Sequence, residues 1–215
     1  MAIKLKLDIV SDISCPWCII GYQALQQALT ALAPNITADI SWEPFELNPT
    51  MPVEGQDIVE HITEKYGISV AQTEQNRAMI QQRGLDLGYE FSNRDKGRIY
   101  NTFDAHRLLF WAKQFGKQTE LKLALFDLYF QQSGDPSNHQ QLLTVIGSVG
   151  LDIEQAKQIL NSTQYEPEVR ERQSFYRSQG VDSVPAVIIN DKHLISGGQP
   201  AEVFEQAFRE IATQQ

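Results

Sequence analysis

Only two cysteines occur among the 215 residues, and both fall in the stretch Ser11-Asp12-Ile13-Ser14-Cys15-Pro16-Trp17-Cys18-Ile19-Ile20-Gly21. A pair of thiols can act as a structural staple, as half of a metal site, or as a redox couple. As a staple this pair is poor, because a C-x-x-C loop is so short that closing it removes little chain entropy. Structural zinc takes four ligands, so two more would have to come from Cys or His. No third cysteine exists, and His61, His106, His139 and His193 stand singly, without an H-x3–5-H pair. Thiol–disulfide exchange needs only the two residues present: a thiolate that attacks and a second thiol close behind that resolves. The redox couple is therefore the favoured reading.

The surrounding periodicity says how such a pair would be held. Residues 3–10 alternate polar and apolar side chains and read as a strand. From Cys15 to Ala33 the period changes: Cys18, Tyr22, Leu25, Leu29 and Leu32 form one stripe of a helix that Pro34 and Asn35 end. Residues 36–45 alternate again, which makes a βαβ unit with parallel strands and a right-handed crossover. Cys15 then sits at the helix start, with Pro16 in the first turn where its missing N–H costs nothing. The helix N-terminus should lower the Cys15 pKa from the ordinary thiol value of about 8.5. Cys18 belongs to the stripe facing the sheet. The loop Pro44-Phe45-Glu46-Leu47-Asn48-Pro49 leaves the second strand at the same sheet edge and should adjoin Cys15.

Between about residues 55 and 178 strand signals give way to helix punctuation. Ser69–Gln72, Ser137–Gln140 and Asp152–Gln155 have capping-box spacing, and Gly67, Gly116, Gly134 and Gly150 stand where helix C-caps would. Helices are expected at 56–66, 70–84, 101–115, 120–132, 138–149, 153–161 and 165–178. Strands return at 186–190 and 193–196 with a turn at Asn190-Asp191, and Pro200 opens a last helix. Pro185 enters the strand Ala186–Asn190 and reads either as an edge proline or as a cis Val184–Pro185 bond that turns the Val184 backbone towards a substrate. His106, within helix 101–115, is a candidate to assist proton transfer or touch substrate, against the plainer reading of a partly buried helix histidine.

A formal net charge of −9 and the absence of a Lys/Arg cluster argue against nucleic acid as a partner. No apolar run is long enough to span a membrane, and MAIKLKLDIV lacks the apolar core of a signal peptide, so a cytoplasmic location is expected.

Taken together, SDISCPWCIIG, PFELNP, NTFDAHRLL, GVDSVPAV and SGGQP resemble the DsbA-like thioredoxin-fold family, and within it the FrnE-type dithiol–disulfide oxidoreductases. The resemblance covers nearly the whole chain. It implies an α/β fold in which residues 1–54 and 179–215 form a discontinuous thioredoxin-like domain and 55–178 a large all-helical insertion. It also implies that Cys15 attacks, Cys18 resolves and Pro185 is cis, with Pro16, Trp17, Phe45, Val184 and Pro185 beside the substrate. No cofactor beyond the Cys15–Cys18 disulfide is implied, and glutathione is a candidate redox partner. Such proteins often bury a carboxylate behind the resolving cysteine. Asp8 and Asp12 flank that position without occupying it, which leaves the role unassigned.

The expected activity is exchange on protein or small-molecule disulfides. Two rivals are a glutathione-linked isomerase or transferase of the same fold, whose members carry serine where this chain has Cys15, and a non-enzymatic holdase that uses the apolar surface between the two parts.

Overall fold

The computed structural model describes residues 2–92 and 97–214. Its main sheet has four strands in the order β2-β1-β5-β6: β1 (Ile3–Ser11), β2 (Ile36–Pro44), β5 (Ala186–Ile189) and β6 (His193–Ser196). β1 runs parallel to β2 in the register Ile3↔Ile36 to Ser11↔Pro44, and antiparallel to β5. Its first half alternates exposed lysines with buried Leu5 and Leu7, whereas from Leu7 to Ser11 every residue is buried. That change marks a strand covered on both faces at its C-terminal end. The crossover is α1 (Pro16–Leu32), and α9 (Ala201–Ala212) packs beside it. Asn190 and Asp191 both take left-handed φ, 52° and 59°, in the turn that Lys192 N–H closes on the Ile189 carbonyl. Short polar side chains are among the few that tolerate this conformation.

The helices between the two halves of the sheet form where their caps predict. Asp57 caps α2 (Ile58–Tyr66) by accepting from Val59 and Glu60 N–H, and Ser69 with Gln72 makes a full capping box on α3 (Val70–Asp86). Next come α4 (Phe103–Ala112), a 3-10 turn over 113–115, α5 (Gln118–Phe130), α6 (His139–Ser148), α7 (Ile153–Leu160) and α8 (Glu166–Ser178).

Three local expectations shift. Asn138, rather than Ser137, caps α6 by accepting from Gln141 N–H. Pro200 is the residue before α9 and lies outside its first turn. Ser133, not Gly134, adopts the left-handed conformation after α5, and Gly134 is instead a close-approach position, where a Cβ would meet Leu128 Cδ1 at 2.4 Å. A two-residue antiparallel ladder, β3 (Gln56–Asp57) with β4 (Arg98–Ile99), was not anticipated. Pairs that short leave no periodicity to read.

One continuous core runs from Leu5 and Leu7 on β1 through Trp42 on β2 to Leu125 and Phe126 on α5. The α2–α3 hairpin lies outside it: α2 buries no residue and α3 only Thr73 and Gly84.

Candidate active site

Cys15 occupies the N-cap of α1 with extended backbone (φ −92°, ψ 112°), and Pro16 begins the helix. The apolar stripe then carries Cys18 inward, so Cys15 is 4 % exposed and Cys18 fully buried, both as free thiols. Cys15 Sγ donates to the Val184 carbonyl at 3.6 Å, and the Val184–Pro185 peptide is cis. Pro185 stands behind Val184 against α1, where a Cβ on Gly21 would be 3.3 Å from its Cγ. Gly198 makes the next close approach, since a Cβ there would be 3.1 Å from Trp17 Cε3. The SGGQP segment thus seats the Cys15–Cys18 turn against the proline loop.

Cys15 carries one thiol proton, so when Cys18 ionises that proton turns from the Val184 carbonyl to the Cys18 sulfur, and the two thiols titrate as a pair. The hydrogen bond to Cys18, together with burial, holds the proton on Cys15 and pushes its thiol well up. Burial also penalises a charge on Cys18, yet the bond from Cys15, the Lys122 ammonium and the Ser11 hydroxyl outweigh it and bring that thiol down. The helix-start argument for a low Cys15 pKa is therefore overridden in this buried, paired arrangement. The Cys18 N–H lowers Cys15 as that argument requires, but it is a minor influence.

Behind the cysteines lies a buried polar cluster. Asp12 accepts from Leu47 N–H at 2.7 Å and from the Ser14 hydroxyl at 3.2 Å, which ties the β1–α1 turn to the loop after β2. This is the juxtaposition expected of two parallel strand ends. Burial alone would raise the Asp12 carboxyl. His106, Leu47 N–H and Thr102 together hold it below its usual value instead. His106 Nε2 lies 3.5 Å from Asp12 Oδ1 and has no hydrogen-bond partner among the described residues. Lys122 of α5 is also buried, and burial lowers its pKa to about 8 despite the charges of Cys18 and Asp12.

In front of Cys15 opens a cleft of about 1160 Å³. Cys15, Pro16, Trp17, Phe45 and Val184 border it on the sheet side, and Ile58, Ile62, Tyr66 and Ile80 of α2 and α3 face them. His61, Lys65, Arg77 and Arg177 supply positive or titratable groups along its edge. Phe45 is only 6 % exposed and belongs mainly to a small core with Val10, Tyr176 and Val181. Pro185 and His106 do not border the cleft. For His106 this removes substrate contact, because α4 turns it inward to Asp12. Asp12 and Lys122 carried no site role in the sequence reading. Lys122 had a visible signal, a cation on the apolar face Leu121-Lys122-Leu125-Phe126 of its helix, whereas the partners of Asp12 become visible only when distant loops meet.

A thioredoxin-type sheet, a C-x-x-C at the first turn after its first strand, and a cis-proline loop bonded to the leading cysteine define a class of thiol–disulfide oxidoreductases. The chain belongs to the DSBA-like thioredoxin domain family, which it matches over residues 6–209. It is 27 % identical over 202 residues to the uncharacterized protein YwbO of Bacillus subtilis, spanning 94 % of each chain. The crystal structure of the probable DsbA oxidoreductase SCO1869 of Streptomyces coelicolor is similar at a TM-score of 0.90 and 29 % identity, covering 98 % of this chain and 91 % of that one. The cytosolic disulfide reductase DsbM of Pseudomonas aeruginosa, solved with GSH, shares the fold at a TM-score of 0.67 and 14 % identity, over 98 % of this chain and all (100 %) of that one.

Proposed function

We propose that this protein is a FrnE-type thiol–disulfide oxidoreductase or isomerase in which Cys15 attacks and Cys18 resolves. The observation that carries the assignment is the order of access: Cys15 borders the cleft, whereas Cys18 lies behind it without exposure. Transfer of one proton across the bond between the sulfurs puts the thiolate on Cys15. That sulfur attacks a substrate disulfide; one S–S bond breaks, a Cys15–substrate S–S bond forms, and the other half of the substrate leaves as thiolate. Cys18 passes its proton to the substrate thiolate already released and attacks Cys15 Sγ, forming the internal disulfide and releasing the second thiolate, so that two electrons have passed from the dithiol to the substrate. The Val184 backbone at the cleft wall, and the apolar faces of Trp17 and Phe45, are suited to an extended chain beside the sulfur.

Glutathione is the redox partner we assign, with no cofactor beyond the Cys15–Cys18 disulfide. Lys65, Arg77 and Arg177 at the cleft suit its carboxylates, and DsbM, solved with GSH, is a relative in fold. No helix among the described residues is long and apolar enough to cross a membrane, and the cytoplasm is the location proposed. The division into a discontinuous thioredoxin-like domain (1–54 and 179–215) and a helical insertion (55–178) is part of the same reading.

The test is equilibration of the purified protein in glutathione buffers, followed by alkylation of the remaining thiols. A reversible Cys15–Cys18 disulfide is expected, with Cys18→Ser trapping a mixed disulfide on Cys15 and Cys15→Ser inactive. A potential between about −120 and −200 mV marks an oxidant or isomerase, and about −270 mV a reductase. If no reversible disulfide forms, the glutathione-linked transferase reading replaces this one.

A further inference from the structure

Cys15 is the attacking sulfur and yet only 4 % exposed, so a disulfide must reach it through the cleft that it borders. The α2–α3 hairpin forms the opposite wall. Ile62, Tyr66 and Ile80 line the cleft, while the hairpin buries only Thr73 and Gly84. The two ends of the hairpin are held. β3 pairs with β4, and Ile58 N–H donates to the Gly97 carbonyl at 3.0 Å. From α5, the Tyr129 hydroxyl donates to the Arg98 carbonyl at 3.0 Å, and Asp127 accepts from the Tyr89 hydroxyl at 3.2 Å. α3 also passes beside α1, which leaves α2 as the looser side. Nothing stands against the far end at Gly67, where a Cβ would meet no atom within 4 Å. Between these ends, α2 is tied to the loop after β2 by three polar contacts. Lys65 Nζ donates to the Leu47 carbonyl at 2.8 Å and to Asn48 Oδ1 at 2.7 Å, and His61 Nε2 meets the same Asn48 oxygen at 2.9 Å. Leu47 N–H is itself bonded to Asp12, so this loop stays with the Cys15 turn.

We propose that the α2–α3 hairpin is a lid over Cys15, hinged where its ends meet α5 and latched on Asn48, which admits small disulfides while shut and protein disulfides only when open. The choice of substrate rests on reading Cys15 and Cys18 as an exchanging pair. A cleft of about 1160 Å³ has room for a peptide of glutathione size but not for the body of a folded protein. Attack on a protein disulfide brings chain on both sides of the sulfur, and α2 stands where that chain must pass. Polar contacts open to water hold weakly, and an element with little buried surface opens locally at low free-energy cost. The latch is therefore strong enough to keep the lid mostly shut and weak enough to release it. Its placement on the loop that Asp12 holds means that the lid shuts against the reactive turn itself.

The test compares two alkylating probes on the reduced protein: N-ethylmaleimide, and maleimide carried on ubiquitin, a folded protein without cysteine. Adducts are located on Cys15 by peptide mass. The ratio of the two rates cancels the reactivity of the thiol and leaves its access. Asn48→Ala and Lys65→Met each remove two of the three latch contacts, and together they remove all three. Each should raise the large-probe rate relative to the small-probe rate about tenfold, and the double variant further. The same order should appear in the rate on a folded protein disulfide relative to glutathione disulfide. Equal ratios in the parent and the folded variants overturn the proposal. A measurement on the unaltered chain makes the outcome independent of those variants. With ubiquitin attached to Cys15 the lid cannot shut, so the amides of residues 58–66 should exchange with deuterium faster than in the N-ethylmaleimide adduct. Equal exchange in the two adducts also overturns it. If no reversible disulfide forms while the probe ratio responds, the exchange reading falls and the lid stands. If the disulfide cycles and the ratio is fixed, only the lid falls.

Discussion

At the scale of single residues, the cysteines are governed by what they touch more than by their place on the helix. The bond between the sulfurs is the largest influence raising Cys15. Cys18→Ala removes it, so the lone Cys15 should ionise once, below the second ionisation of the parent pair, as ultraviolet thiolate absorbance would record. Asp12 acts in the opposite sense. Its folded carboxyl is held below the ordinary value, so the stability it contributes is complete above the unfolded aspartate range near about pH 4. That contribution is lost as pH falls through the lower folded value. Asp12→Asn should therefore unfold at lower denaturant than the parent at pH 7, with the two converging in acid, as urea titrations at several pH values would test. A constant difference at every pH would mean that the Asp12 charge contributes nothing. The site was legible in sequence where a residue type is itself the signal, as with Cys15, Cys18 and Pro185. Asp12 was named, but its burial against His106 and Leu47 was not visible.

At the scale of elements, α3 in the cleft wall has a specific anchor. α3 approaches the Tyr89–Phe91 segment closely enough that a Cβ on Gly84 would lie 2.6 Å from the Tyr89 carbonyl oxygen. Gly84→Ala should thus cost about 1–3 kcal/mol in overpacking, against about 1 kcal/mol gained in helix propensity. A lowered thermal midpoint and a changed glutathione KM would follow if this helix walls the substrate site. In the NTFDAHRLL stretch, neighbours serve different elements. Asn101 caps Phe103 N–H at 2.9 Å, His106 turns to Asp12, and Arg107 is a clamp on the α7–α8 connection. Arg107 is 2 % exposed and donates to the carbonyls of Gln164 at 2.9 Å and Ile159 at 2.5 Å, with Asp104 at 2.7 Å as its counter-ion. Arg107→Met removes the side-chain donor to the Gln164 carbonyl and leaves Asp104 with His139 at 2.7 Å as its remaining partner, and about 1–3 kcal/mol of stability should be lost in chemical denaturation. Helix positions were legible because caps and apolar stripes are local signals; the β3–β4 ladder was not, because two residues carry no period.

At the scale of the whole molecule, the sheet and the helical block share one core, in which Trp42 meets Phe126 edge-on at 6.1 Å between centroids. Shared burial predicts cooperative unfolding, so far-UV and near-UV circular dichroism should give one coincident transition. Leu125→Ala, on a fully buried side chain of α5, should lower that single transition by about 2–5 kcal/mol rather than split it in two. The α2–α3 hairpin is the exception, with few buried residues of its own. Its amides should be the first to exchange with deuterium among those of the helical block.

By itself the sequence determined the chemistry on offer and the elements that carry it. A C-x-x-C with proline at a helix start, alternating strands and capped helices are all expressed within a few residues of one another. Only the tertiary structure decided which sulfur is shielded and which carboxylate and cation stand behind the pair. It also turned His106 away from the cleft. Those outcomes depend on Asp12, His106 and Lys122 converging from three separate elements, and on the desolvation that their convergence imposes. Burial and charge pairing are properties of that assembled interior, and no local pattern encodes them.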